Sequence, residues 1–133
     1  MPWLKLNTFP ADLASKVHDL GNDDLKVALT NTAPSAADDT LSDIAQITSA
    51  GGYAPATVTV TSSAQSGGTY SLQVDAITWT ATGAAFDPFR YLVLYNDTTP
   101  DDRLIAFTDY GTSFTLNSGQ PFTHQAGTLL EIA

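Results

Sequence analysis

The segment Phe89–Tyr110, FRYLVLYNDTTPDDRLIAFTDY, decides the fold class of this chain. Two apolar runs, Phe89–Tyr95 and Leu104–Phe107, flank a polar stretch with three aspartates, two threonines and one proline. The first run is apolar on both faces apart from Arg90, which is typical of a central strand that is covered on both sides. Asparagine, aspartate, threonine and proline are the residues that close β-turns. The segment therefore predicts two core strands joined by a hairpin turn at Asn96–Asp102.

The same polar stretch has an alternative interpretation as a metal site, because carboxylate and amide oxygens are the ligands that calcium takes. Its spacing lacks the central glycine and the terminal acidic ligand of an EF-hand loop. Two further acidic clusters, Asp23-Asp24 and Asp38-Asp39 with Asp43, are explained by a solvated loop and by the positive end of a short helix. The hairpin turn is favoured, and we expect neither a metal nor another cofactor.

Most of the remaining chain alternates between apolar and polar residues with the period of a β-strand. Strands are predicted at Leu25–Thr30, Ala56–Thr61, Tyr70–Val74, Ile77–Ala81, Phe89–Tyr95, Leu104–Phe107, Phe114–Leu116 and Leu129–Ile132. About eight short strands with turn signals between them predict an antiparallel β-sandwich, of the jelly-roll or immunoglobulin-like type.

One N-terminal helix is predicted at residues 9–20, FPADLASKVHDL, where Leu13, Val17 and Leu20 form one apolar stripe. Gly21 supplies the stop signal after this helix. We therefore expect one mainly β domain over residues 1–133, with an N-terminal arm at 1–8, the helix at 9–20 and the β-sandwich at 25–132.

A possible short second helix is predicted where Thr40 and Asp43 have the spacing of a capping box. Such a helix would cover Leu41, Ile44 and Ile47 with its apolar face.

Composition excludes several classes of partner. The chain has 14 acidic and 5 basic residues, a net charge of −9, and no cysteine. Such a charge repels phosphate backbones and anionic membrane surfaces, so we expect no direct nucleic-acid or membrane binding. No apolar stretch reaches the roughly 20 residues of a membrane span. The N-terminus also lacks the pattern of a signal peptide.

No residue pattern predicts catalysis. His18 and His124 have no second histidine or glutamate at the spacing of a zinc site. A Gly-x-Ser-x-Gly nucleophile elbow does not occur. Gly51-Gly52 and Gly67-Gly68 lack the lysine and hydroxyl residue of a phosphate-binding loop. We expect a non-enzymatic protein without catalytic residues.

Several segments resemble a group of small virion structural proteins of tailed bacteriophages, and the resemblance extends from the predicted helix to about residue 122. These segments are Leu20–Pro34 (LGNDDLKVALTNTAP), Leu41–Ile47 (LSDIAQI), Gly51–Tyr53 (GGY), Pro88–Asp97 (PFRYLVLYND) and Leu104–Gly111 (LIAFTDYG). The resemblance implies a capsid decoration or cement protein that is made in the host cytoplasm and lies on the virion surface. It implies the major capsid protein as partner and a homotrimer as oligomeric state. The alternative is a minor tail, fibre or baseplate protein that contacts the host surface or other tail proteins.

The N-terminal arm is the predicted interface of such a protein. Its apolar residues have no predicted helix or strand to hold them, and tryptophan is common both in interface hot spots and in cores. For Trp3, docking on its own domain and docking on a neighbour therefore both remain open. The predicted interface residues are Pro2, Trp3, Leu4, Leu6 and Phe9.

A third alternative is a carbohydrate-binding module, which would need Tyr53, Tyr70 and Trp79 as an exposed aromatic platform. The alternation places Trp79 on the same strand face as Ile77. A core position for Trp79 is therefore favoured.

Overall fold

The computed structural model describes residues 3–133, and this part of the chain is mainly β, with antiparallel sheets and one α-helix. The helix α1 comprises Phe9–Ala14. The strands are β1 (Leu4–Lys5), β2 (Leu25–Thr30), β3 (Ala56–Thr57), β4 (Val60–Ser66), β5 (Thr69–Val74), β6 (Ile77–Thr80), β7 (Phe89–Asn96), β8 (Arg103–Phe114), β9 (Pro121–His124) and β10 (Gly127–Ile132). The prediction of a mainly β, antiparallel fold with an N-terminal helix is confirmed.

The central sheet has five strands in the order β1-β8-β7-β2-β3. Its middle strand, β7, pairs with β2 along the whole length of β2 and with β8 through the hairpin. Leu92 and Leu94 of β7 belong to the main core, whereas Val93 and Tyr95 belong to a second cluster on the opposite face. The prediction that this strand is covered on both sides is confirmed.

A second layer covers one face of the central sheet. It consists of a three-stranded sheet, β10-β5-β4, and a two-stranded sheet, β6-β9. Leu72, Trp79 and Leu130 from this layer share one buried cluster with Leu92 and Leu94. Two sheets that bury a common core are compatible with the predicted sandwich. The choice between a jelly-roll and an immunoglobulin-like arrangement stays a prediction.

The helix ends earlier than predicted. Lys16 adopts a positive φ of 64°, its N–H donates to the Leu13 carbonyl at 3.3 Å, and the Val17 N–H donates to the Asp12 carbonyl at 2.9 Å. These two bonds form the closing pattern that commonly ends a helix. The prediction of a helix over residues 9–20 is therefore wrong beyond Ala14, because the chain turns there to bring the following residues into the interior.

The possible second helix is a single 3₁₀ turn, Leu41–Asp43. The Asp43 carboxylate accepts the N–H groups of Asp39 and Thr40 at 3.1 and 3.3 Å, as a capping residue does. The chain then becomes extended at Ile44, with φ −96° and ψ 126°. The segment thus follows the capping prediction but does not continue as a helix.

Candidate functional site

The Asn96–Asp102 stretch closes the β7–β8 hairpin, with Asn96 opposite Arg103. The hydroxyl of Thr99 holds this turn together. The Thr99 hydroxyl donates to the Asn96 carbonyl and accepts the Arg103 N–H, both at 2.8 Å. The Asn96 side-chain oxygen accepts the N–H of Thr98 at 3.0 Å. The hairpin prediction is confirmed, and the turn has its own internal hydrogen bonds.

A buried polar junction lies beneath this turn, where Asn96 meets the segment that follows α1. The fully buried Asn96 amide donates to His18 Nδ1 at 3.0 Å and to Asp23 Oδ2 at 2.6 Å. Because Nδ1 accepts, the neutral His18 ring carries its proton on Nε2. Within residues 3–133, Nε2 has no hydrogen-bond partner and lies 4.0 Å from Asp12 Oδ2. Burial lowers the pKa of His18, although the charges of Asp12 and Asp23 act in the opposite direction.

Arg103 joins this junction to the acidic surface around it. Its guanidinium donates to the Asp12 carboxylate at 2.9 and 3.2 Å and lies 3.5 and 3.6 Å from carboxylate oxygens of Asp39 and Asp101. We call the surrounding surface the acidic end. It comprises Asp12, Asp19, Asp23, Asp24, Asp39, Asp97, Asp101 and Asp102. In the described part of the chain, no group of three or more histidine, cysteine, aspartate or glutamate side chains is arranged to hold a metal ion.

A second surface has the opposite character, because no charged residue occurs between Asp43 and Asp75. This uncharged stretch contains β4, in which every residue from Thr61 to Ser66 is exposed. β4 pairs with β5 and with no other described strand. The surface thus contains both a dense group of carboxylates and an uncharged sheet edge.

The N-terminal arm is held by a strand, which the sequence did not predict. Leu4 and Lys5 pair with Phe107 and Ala106 of β8. The Leu6 N–H then donates to the Ile105 carbonyl at 3.0 Å. The expectation that the arm has no strand to hold it is therefore wrong, because the edge of β8 supplies the missing hydrogen-bond partners.

The predicted interface residues are separated by this docking. Leu6 and Phe9 are each 1% exposed and lie in the protein's own core, so the interface prediction is wrong for these two residues. Leu4 is 53% exposed and is the one exposed large hydrophobic side chain among the described residues. Pro2 lies outside the described residues. Among the described residues of the predicted interface, Leu4 is thus the one that is exposed for contact with another molecule.

Trp3 docks on its own domain through an aromatic cluster. Its Nε1 donates to His124 Nε2 at 3.4 Å, and the two rings meet edge to face. The other ring nitrogen of His124 is hydrogen-bonded to the Tyr110 hydroxyl. Burial lowers the pKa of His124 and raises that of Tyr110. Half-buried Trp3 therefore anchors the arm. Of the two alternatives that the sequence left open for this residue, the structure shows docking on its own domain.

The proposed aromatic platform for carbohydrate does not exist. Tyr53 and Trp79 are 7% and 4% exposed and belong to the main core. The Tyr53 hydroxyl donates to Gln46 Oε1 at 2.7 Å and accepts the Leu29 N–H at 2.9 Å. Burial raises the pKa of Tyr53 to about 12. The carbohydrate-binding alternative is thus wrong for this set of residues, whereas the core position predicted for Trp79 is confirmed.

A groove of about 270 Å³ separates the segment after α1 from the β4–β5 hairpin. It is lined by Leu13, His18, Asp19, Leu20, Gly21, Ser63, Tyr70 and Ile132. A Cβ added at Gly21 would come within 2.9 Å of Ser63 Oγ, so the two walls are closely packed at this point. The groove places the acidic Asp19 near the inner face of the uncharged hairpin.

Sequence reasoning missed the buried junction of His18, Asp23 and Asn96. No local signal marks it, since a single histidine after a helix and an asparagine in a turn both have common surface explanations. The burial of Asn96 depends on residues 73 and 78 positions away. Predicting this contact would have required knowing where the segment after α1 lies relative to the β7–β8 hairpin.

The described residues include no helix long and apolar enough to cross a membrane. Comparison with known proteins gives no matching family model, no significantly similar curated protein and no significantly similar solved structure.

Proposed function

We propose that this protein is a non-enzymatic structural protein of a phage particle, which binds the outer surface of the capsid and stabilises the lattice. The resemblance to small virion proteins supports this function. The resembling segments include β2, β7 and the first part of β8, which are adjacent in the central sheet. The resemblance therefore concerns the structural framework of the domain and is independent of any single surface residue.

The observation that carries the proposal is that the carboxylates are concentrated at the acidic end, while the edge at β4 is uncharged. The acidic end suits a basic face of the major capsid protein, because complementary charge steers association and fixes orientation. Exposed Leu4, on the edge strand β1, adds an apolar contact. Many such weak contacts repeated over a lattice give tight overall binding through avidity.

The first experiment measures copy number and position in purified phage particles, by gel densitometry against the major capsid protein and by low-resolution imaging. On the order of one chain per capsid chain, located on the head, is the expected result for lattice avidity. A handful of copies at the tail would contradict the proposal and assign the protein to the tail, fibre or baseplate class.

A second experiment tests the acidic end directly, by adding purified variants back to particles that lack the protein. The double variant Asp24→Asn with Asp101→Asn removes two charges from the acidic end. Its matched control, Asp75→Asn with Glu131→Gln, removes the same charge from exposed positions elsewhere. We expect weaker binding and a reduced dependence on salt for the first variant only. Equal binding of both variants would exclude the acidic end as the contact.

A further inference from the structure

β4 (Val60–Ser66) is a sheet edge without the features that usually protect one. Natural edge strands are kept short, carry charged side chains or proline, or are covered by another element. β4 has seven residues, VTSSAQS, and none of them is charged or a proline. In the central sheet, by contrast, both edge strands have only two residues. The edge strands of the central sheet are thus protected by their shortness, whereas β4 in the second layer is long and unprotected.

The outer face of β4 is accessible as well as its edge, whereas its inner face lines the groove opposite Gly21. Ser62 and Ala64 lie opposite Gln73 and Ser71 of β5, so these four residues share the outer face of the hairpin. On the inner face, the Ser63 hydroxyl is 2.8 Å from the Tyr70 hydroxyl. The outer face is thus formed by small or uncharged polar side chains. A further strand could be added at this edge without meeting a charged side chain or a proline of β4.

The charge distribution of the chain indicates that β4 of a second copy fits this edge. Two copies of a chain with a net charge of −9 repel each other over most of their surfaces. The stretch between Asp43 and Asp75 contains no carboxylate, and β4 is its long exposed strand, so two copies can approach along β4 without a carboxylate on either of the two strands. Asp19 lines the groove on the inner side of the hairpin, and Asp75 follows the end of β5. The outer edge of β4 itself remains uncharged.

We propose that β4 pairs in antiparallel fashion with β4 of a second copy, so that the free protein forms a symmetric dimer. An antiparallel pair of identical strands is self-complementary and closes at two copies. It would join the three-stranded sheets of the two copies into one continuous sheet and satisfy the outer backbone groups of both edge strands. Serine and threonine hydroxyls would face each other across the new pair, which is a favourable cross-strand arrangement. The dimer does not depend on binding to a particle.

The test is sedimentation velocity and light scattering of the purified full chain over a wide concentration range. Ala64→Asp places a like charge in each copy at the edge. Gln73→Asp is the matched control, since it adds the same charge on the same face but one strand further from the edge. We expect a wild-type dimer, an at least tenfold higher dimer dissociation constant for Ala64→Asp, and little change for Gln73→Asp.

A mixture of two charge variants distinguishes lost pairing from lost folding. Ala64→Lys alone should also weaken the dimer, whereas an equimolar mixture of Ala64→Asp and Ala64→Lys should restore it. Far-UV circular dichroism checks that both variants are folded. A wild-type protein that stays monomeric, a trimer, or a dimer that is equally stable in Ala64→Asp would each overturn the proposal. The trimer outcome would support the oligomeric state that the resemblance implies.

Discussion

His18 and Asn96, 78 positions apart, are joined by a 3.0 Å contact between Nδ1 and Nδ2 in the buried interior. This contact fixes the segment after α1 against the turn of the β7–β8 hairpin. The same amide reaches Asp23, and Asp12 beside the ring binds Arg103. The acidic end is thus assembled around a polar junction whose members come from distant parts of the chain.

Asn96→Ala should lower the free energy of unfolding by about 2–3 kcal/mol, because His18 Nδ1 and the Thr98 N–H both lose their partner. Urea denaturation measures the change. Asn117→Ala, at an exposed turn position, is the control and should change stability by less than about 0.5 kcal/mol. Equal effects of the two substitutions would show that the junction does not contribute to stability.

Stability should decrease as the pH falls below about 6.5, the ordinary pKa of histidine. Burial lowers the folded-state pKa of His18 and of His124, so the unfolded chain binds more protons than the folded chain in this window. Excess protons on the unfolded state lower the free energy of unfolding until the pH passes below the folded pKa. Around His18, Asp12 and Asp23 reduce this effect, and Arg103 increases it.

Urea denaturation between pH 8 and pH 5 tests this pH dependence. His18→Gln and His124→Gln should each reduce the loss of stability on acidification, and the double variant should remove most of it. Stability that increases toward pH 5 in the wild type would contradict the lowered pKa values of both histidines.

Arg103→Met should destabilise the protein by about 1–2 kcal/mol, because Asp12, Asp39 and Asp101 lose the cation between them. The loss should decrease with added salt, which screens the carboxylates from one another. Arg90→Met is the matched control, since Arg90 also binds one aspartate through two nitrogens but is 38% exposed. It should have a clearly smaller effect. Thermal melts at low and high salt measure both variants.

Leu6→Ala should cost about 3 kcal/mol of stability, because the side chain is 1% exposed and its removal leaves a cavity. Leu4→Ala, two residues away and 53% exposed, should change stability by less than about 0.5 kcal/mol. Leu4→Ala should weaken binding to particles and leave the melting temperature unchanged. This result would support the assignment of Leu6 to the core and of Leu4 to the contact surface. Similar stability losses for both would contradict it.

Gly51→Ala should destabilise by about 3 kcal/mol, because two penalties combine. Gly51 has a φ of 69°, and an added Cβ would lie 2.7 Å from the Ala84 carbonyl oxygen. Gly67→Ala is the control, since Gly67 has a φ of 59° but open space around it, and only the backbone penalty of about 1 kcal/mol applies. Chemical denaturation of both variants separates the steric term from the conformational one.

Much of the strand pattern could be predicted from the sequence because alternation is a local property, but the strand predicted at Ala56–Thr61 is divided into β3 and β4, and β8 runs without a break from Arg103 to Phe114. The β7–β8 hairpin, the two covered faces of β7 and the buried side of β6 all follow from which neighbouring residues are apolar. β9 (Pro121–His124) was not predicted, since a strand of four residues that begins with proline resembles a turn. Its pairing with β6 defines it as a strand.

Tertiary structure decided what local pattern does not encode. The apolar stripe of the predicted helix is present in the sequence, but the helix ends at Ala14 because the positive φ of Lys16 turns the chain inward. Leu6 resembles an exposed arm residue until β8 supplies the edge on which the arm docks. The partner of Asp12 lies 91 positions away, at Arg103. The burial and pairing of polar groups depend on segments that are distant in the sequence. The packing of these segments assembles the acidic end, and the strand order leaves β4 at the edge of its sheet.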